Sequence, residues 1–153
     1  MGDIMEKTLY FWIIDQIFIF TDLDGSLLDH ESGLVWAKED SWPVAQDWLN
    51  FQEALQFVDE MNKNDYLGYH DWRIPEREEV EMIFIPDSTI MARSNNEIHL
   101  DPLFATGGGN ATWCLPFDQQ AAFYFSYASG NAQQFDQDYS QGYVRLIRLY
   151  PDD

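Results

Sequence analysis

Cationic side chains are scarce in this chain. Its 153 residues hold 8 lysines and arginines (Lys7, Lys38, Lys63 and five arginines) against 27 acidic residues, a formal net charge of −19 with histidine neutral. Nucleic acids and sulfated polysaccharides need a basic footprint, so neither is an expected partner. Cysteine is almost absent. Cys114 stands alone, which excludes an intramolecular disulfide, a thiolate zinc cluster and a CxxC redox pair. No histidine lies near it in sequence to lower its pKa, and it reads as a buried, inert thiol. Long apolar runs are missing as well. Residues 9–20 are apolar but interrupted by Asp15 and Gln16, too short to span a membrane, and no small-residue cleavage site marks a leader. The compartment stays open between the cytosol and, with a leader removed, secretion or the cell surface. His30, His70 and His99 show no ligand spacing such as HxxxH and read as loop residues.

What is present points to one packed domain over residues 1–153. Apolar residues make up 46% of the chain and aromatic residues 16%, enough to build a core that a disordered acidic tail would lack. A chain of this length buries roughly two thirds of its unfolded surface. Most carboxylates are therefore expected to coat a folded domain as a solvated acidic face.

Residues 9–20, rich in aromatic and β-branched types, read as one long strand or two short ones. The turn chemistry of Asp22-Leu23-Asp24-Gly25-Ser26 leads into a small hairpin, Leu27-Leu28 pairing across the loop 29–33 with Leu34-Val35-Trp36. Val44, Trp48, Phe51, Leu55 and Val58 recur at spacings of four, three, four and three, one face of a helix started by Ser41 and Pro43 and ended by Asn62 and Asn64. Pro75 opens a second helix with Glu76, Glu78 and Glu79 in its first turn, and Pro86 closes it. Residues 87–120 read as a long loop, most flexible at Gly107-Gly108-Gly109, with a short aromatic segment at 113–117. Strands are expected at 122–127 and 143–150, hinged at 128–131, with another short strand in the polar stretch that follows. Strands first, helices in the middle and strands last indicate an α+β fold with an antiparallel sheet, the first and last strands paired.

The run Ile17-Phe18-Ile19-Phe20-Thr21-Asp22-Leu23-Asp24-Gly25-Ser26 resembles the first motif of haloacid-dehalogenase-type phosphatases. That resemblance implies Asp22 and Asp24 as nucleophile and acid/base around a magnesium ion. Downstream the pattern departs: no lysine follows Lys63, and the last third reads as antiparallel. A strand running into an Asp-Gly turn is the preferred account. Asp22, Asp24, Asp29 and Glu31 are also weighed as calcium ligands. Their spacing does not fit an EF-hand, so a solvated turn is preferred and no cofactor is expected.

A larger resemblance follows the chain in order. Asp24-Gly25, Asp29 and Gly33-Leu34-Val35-Trp36 lead to Leu67-Gly68-Tyr69-His70-Asp71-Trp72-Arg73-Ile74-Pro75 with Glu78 and Glu79. After them come Leu100-Asp101-Pro102-Leu103-Phe104, Ala111-Thr112-Trp113 and Tyr143-Val144-Arg145-Leu146-Ile147-Arg148. Together these resemble the Lcl C-terminal domain family, a bacterial domain of unknown function related to C-type lectins. The resemblance implies a C-type-lectin-like fold: two helices on a twisted antiparallel sheet, a long loop region over one face, and adjacent terminal strands. It makes Trp36, Trp72 and Trp113 core pillars, with Arg73 and nearby Asp71 fixing a loop. The tripeptides Glu-Pro-Asn and Gln-Pro-Asp and the Trp-Asn-Asp motif of calcium-dependent lectins are missing. One cysteine also falls short of the pair used by formylglycine-generating oxidases, which share the broader fold. The family's namesake adhesin is a binder of sulfated glycans, which a −19 domain would repel.

Residues 105–142 contain no lysine or arginine, and only Asp118, Asp136 and Asp138 are charged. Gly, Asn, Ser, Gln and aromatic rings fill the rest, a mixture typical of antibody paratopes. Tyr124, Tyr127, Asn131, Gln133, Gln134, Gln137, Tyr139 and Gln141 are the candidate contacts. The expected function is a non-enzymatic recognition module for a protein or glycan ligand; the alternative is the magnesium-dependent phosphatase built on Asp22 and Asp24.

Overall fold

The computed structural model describes residues 20–150. The strand expected over residues 9–20 lies outside the described residues, except for Phe20. The architecture is mixed α+β. A four-stranded antiparallel sheet has the order β1 (Phe20–Asp22), β2 (Ser26–Asp29), β3 (Leu34–Ala37), β9 (Ile147–Leu149). Between β3 and β9 the chain forms α1 (Trp42–Ala45), α2 (Phe51–Lys63), α3 (Arg77–Ile83) and the two-stranded β4 (Ile90–Met91) and β5 (Glu97–Ile98). A three-stranded antiparallel sheet follows, of β6 (Ala111–Phe117), β7 (Ala121–Ser126) and β8 (Ala132–Asp136). The last strand thus pairs with β3, and among the described strands β1 and β9 hold opposite edges of their sheet.

Strand alternation sorts the apolar side chains into two cores. Leu34 and Trp36 point to one side of β3, with Val80 and Ile83 of α3. Val35 and Ala37 point to the other, with Phe51, Ala54, Phe57 and Met61 of α2. The second sheet does the same, Phe125 joining the first cluster and Ala122 the second. Burial on both faces explains why β3 reads as an unbroken apolar run.

The single helix expected from Val44 onward is two. Gln46, at φ 55°, ends α1, and α2 begins afresh at Asn50. There the Asn50 side chain accepts from the Glu53 N–H while the Glu53 carboxylate accepts from the Asn50 N–H, both at 2.8 Å, a capping box. Val44 and Trp48 consequently lie outside the helical core face, and each is about half exposed, Trp48 at 47%. The helix expected between Pro75 and Pro86 is α3, Arg77–Ile83, with Glu78 and Glu79 in its first turn and Glu76 just before it. Glu76 stands at its N-cap, and the Glu79 carboxylate accepts the Glu76 N–H at 2.8 Å. Residues 87–120 hold β4, β5 and β6 rather than one long loop.

Trp36, Trp72 and Trp113 are all buried. The Asn62 side chain brackets the Trp72 backbone, accepting its N–H and donating to its carbonyl at 2.8 and 2.9 Å. The Trp113 indole donates to the Leu49 carbonyl at 2.9 Å. Arg73 does not pair with Asp71. It forks onto the Glu79 carboxylate at 2.9 and 2.8 Å, tying the loop to α3, while Asp71 takes Arg148.

Candidate functional site

The β6–β7–β8 sheet carries the candidate surface. Gln133 stands opposite Tyr124, Phe135 opposite Ala122, and Ala111 opposite Ser126. Because side chains alternate along a strand, Tyr124, Ser126, Gln133 and Phe135 share one face. At one end of that face Trp113 packs on Phe51, their ring centres 5.5 Å apart. Tyr124 packs on Trp113 at 5.0 Å and stands perpendicular to Phe135 at 6.0 Å. The other end is open, forming a cleft of about 180 Å³ lined by Asn110, Ala111, Tyr124, Ser126, Ser129, Asn131, Gln133 and Phe135.

The cleft's rim is built by the turn after β7. The Ser126 hydroxyl accepts from the N–H groups of Ala128 and Ser129 at 3.1 and 3.2 Å, and the Ser126 N–H donates to the Asn131 carbonyl at 3.0 Å. Gly130 takes φ 79°, and an added Cβ there would meet the Phe84 ring at 2.8 Å. The opposite wall is steadied by Tyr124, whose hydroxyl accepts the Tyr143 N–H at 3.2 Å. Burial pushes the Tyr124 hydroxyl pKa up, so it stays protonated. Tyr143 also accepts from the Trp48 indole at 3.0 Å, and the Arg93 guanidinium covers the Trp42 ring at 3.6 Å, extending the aromatic surface beyond the cleft.

Three of the eight expected contacts, Tyr124, Asn131 and Gln133, line this cleft. Gln134 is opposite Phe123 on the reverse face of β8. Tyr139 and Gln141 are exposed outside the lining, Tyr139 at 85%. Two expectations are corrected. Tyr127 is fully buried and its hydroxyl accepts from Arg145; Gln137 is buried, donating to the carbonyls of Asp118 and Ala121 and accepting from Gln52. Neither side chain is free to meet a ligand. Asn110, Ala111, Ser126, Ser129 and Phe135 line the cleft without being among the expected contacts. The period of two, carried from Tyr124 to Ser126 and from Gln133 to Phe135, is the sequence signal for two of them.

Asp22 and Asp24 sit elsewhere, in the turn of the β1–β2 hairpin, with Asp24 at φ 69° and Gly25 at φ 112°. One Asp22 oxygen takes the Lys38 ammonium and the other the Asp24 N–H. The Lys38 bond, reinforced by that N–H, holds the Asp22 carboxyl below its usual range. Among the described residues every pairing between strands is antiparallel, so the parallel frame of a haloacid-dehalogenase-type site is missing around this turn. Asp29 accepts from the Glu31 N–H and the Ser32 hydroxyl, closing its own loop. Among the described residues no three His, Cys, Asp or Glu side chains are grouped to hold a metal ion. No described helix is long and apolar enough to cross a membrane.

The family model of the Lcl C-terminal domain matches residues 25–148, from the Asp-Gly turn to the end of the Tyr143–Arg148 landmark. The chain belongs to the Lcl C-terminal domain family. The cleft and all its lining residues lie inside the matched span of this Lcl C-terminal domain. A comparison with curated proteins finds no match.

Proposed function

We propose that this domain is a non-enzymatic recognition module with a C-type-lectin-like fold, holding a protein or glycan ligand through the cleft face of the β6–β7–β8 sheet. The composition of the cleft carries the reading: every lining side chain is uncharged, two are aromatic, and six, Tyr124 among them, offer amide or hydroxyl groups. Concave sites that combine rings with a few placed polar groups are the usual form of ligand pockets. Two main helices with antiparallel sheets support the fold assignment.

The test is a pair of arrays, one of glycans and one of purified cell-surface proteins, probed with the full chain and with an Asn131→Ala, Gln133→Ala, Phe135→Ala triple variant. The native chain is expected to bind on one array, and the triple variant to lose about tenfold or more, the loss that ~1.4 kcal/mol brings. Undiminished binding by the variant would move the site off the cleft. A chain that binds nothing on either array, yet turns over a generic aryl phosphate with Mg²⁺ and loses this on Asp22→Asn, is the hydrolase instead.

A further inference from the structure

Resting on that reading, we infer that the cleft is a subsite for one uncharged sugar ring, read by side-chain amides without a bridging cation. The lining has no acid and no base. The carboxylates nearest in sequence lie outside the lining, each holding its own turn through one oxygen. Asp118 Oδ1 accepts from the N–H groups of Gln120 and Ala121 at 2.8 Å, and Asp136 Oδ1 from those of Asp138 and Tyr139 at 2.7 and 3.0 Å. A charged ligand would find no counter-ion here, and the chain's −19 charge disfavours an anion from a distance.

The polar groups that remain suit hydroxyls. Among the described residues, the hydrogen bonds of the rim run through backbone groups and the Ser126 and Ser129 hydroxyls. This leaves the side-chain amides of Asn110, Asn131 and Gln133 without a partner among the described residues. Each amide is both donor and acceptor, and so is each hydroxyl of a sugar. An apolar side chain from a protein would desolvate the same amides and leave them unpaired.

Shape agrees with the polarity. Tyr124 and Phe135, perpendicular at 6.0 Å, form a corner of two rings, and Phe135 is 39% exposed. A pyranose can lay its C–H face on one ring and turn its equatorial hydroxyls toward the amide rim. At about 180 Å³ the cleft falls below the ~300–1,000 Å³ of pockets that enclose drug-sized ligands, so it takes one ring and leaves further residues outside. The cleft lies on a sheet face above the β7–β8 ladder, so an extended peptide pairing with the outer edge of β8 would lie beside the cleft rather than in it.

The experiment titrates the ¹⁵N-labelled full chain, in EDTA, with methyl glycosides of neutral hexoses and N-acetylhexosamines. At least one glycoside is expected to shift the side-chain NH₂ resonances of Asn110, Asn131 and Gln133 saturably. Phe135→Ala and, separately, Gln133→Ala should weaken it several-fold while leaving the backbone spectrum elsewhere unchanged. The inference is overturned if no neutral glycoside moves these resonances up to its solubility limit, or if shifts require added calcium or a sulfated sugar. It is equally overturned if a protein found on the array is lost in the triple variant and no sugar competes with it. In that case the recognition reading stands and only the ligand class is wrong.

Discussion

The Tyr143 ring lies directly on the backbone of Gly109, where a Cβ would stand 2.1 Å from the ring's Cδ2. The Gly109 N–H donates to Asp40 Oδ2 at 2.6 Å, and Asp40 Oδ1 accepts the Trp42 N–H at 3.0 Å. One buried carboxylate thereby joins the glycine loop to the start of α1, and Tyr143 carries that connection onward to Tyr124 and Trp48. Gly109 therefore serves close packing, and Gly108 lies tight against the Asp40 carboxylate, whereas Gly107 has open space around it and takes φ 84°.

Gly109→Ala is accordingly expected to destabilise the domain by about 1–3 kcal/mol, the range for overpacking a filled site. Displacing the ring should also release the Trp48 indole from the Tyr143 hydroxyl. Urea unfolding read by tryptophan fluorescence tests both effects. An unchanged midpoint together with an unchanged native emission would show that the ring does not rest on this backbone.

Arg145 is fully buried, yet among the described residues no carboxylate pairs with it. Its Nη1 donates to the carbonyls of Ala37 and Lys38 at 3.2 and 2.5 Å and its Nε to the Tyr127 hydroxyl at 3.3 Å, while the guanidinium lies 5.0 Å from the Phe104 ring centre. The fork geometry satisfies the charge, and a lysine ammonium cannot reach the same set of acceptors. Arg145→Lys should lose about 2 kcal/mol or more, since buried carbonyls are left unpaired. Chemical denaturation measures it, and native-like stability in the lysine variant would contradict a role for the fork.

Asp71 and Arg148 give the domain an acid-sensitive contact. Arg148 is 5% exposed, donates to both Asp71 oxygens at 2.6 and 3.2 Å, and stacks on Tyr69 at 3.8 Å. The Arg148 hydrogen bonds hold the Asp71 carboxyl below its ordinary range. A carboxyl depressed in the folded state stabilises fully above its unfolded pKa, about 3.9, and that stability is lost as pH falls through the lower folded value. Asp71→Asn should therefore cost about 1 kcal/mol near neutrality, a figure kept small because the carboxylate is half exposed. The gap between variant and native chain should close below about pH 4. A gap that persists unchanged to the acid limit would assign the contact to packing on Tyr69 instead.

How far the fold could be read depended on whether the cue was local. The β2–β3 hairpin and α3 followed from turn residues, Pro75 and first-turn carboxylates, all of which act within a few positions. The apolar period points to the helix at 51–63 but sets its start too early. The spacing of Val44 and Trp48 continues the period of Phe51 by coincidence, while the reciprocal bonds of Asn50 and Glu53 set the true beginning. In the site, Tyr127 and Gln137 look in composition like the exposed residues around them. Their burial is decided by Arg145 and Gln52, partners 18 and 85 positions away that no local pattern reveals. Tyr124, Asn131 and Gln133 follow from paratope-like composition alone, and strand alternation places Tyr124 and Gln133 on one face.

Cys114 offers a direct probe of how the second sheet opens. It lies buried in β6 opposite Phe123, and burial pushes its thiol pKa up to about 12. Only the thiolate attacks a disulfide reagent, so both exposure and ionisation are withheld in the native state. At pH 8 an aromatic disulfide reagent should leave the folded chain unmodified and react stoichiometrically once urea unfolds it, the rate tracking the global unfolding equilibrium. Labelling far below the unfolding midpoint would instead mean that β6 separates from β7 in a local opening. The wall that holds Tyr124 would then be the least stable part of the cleft.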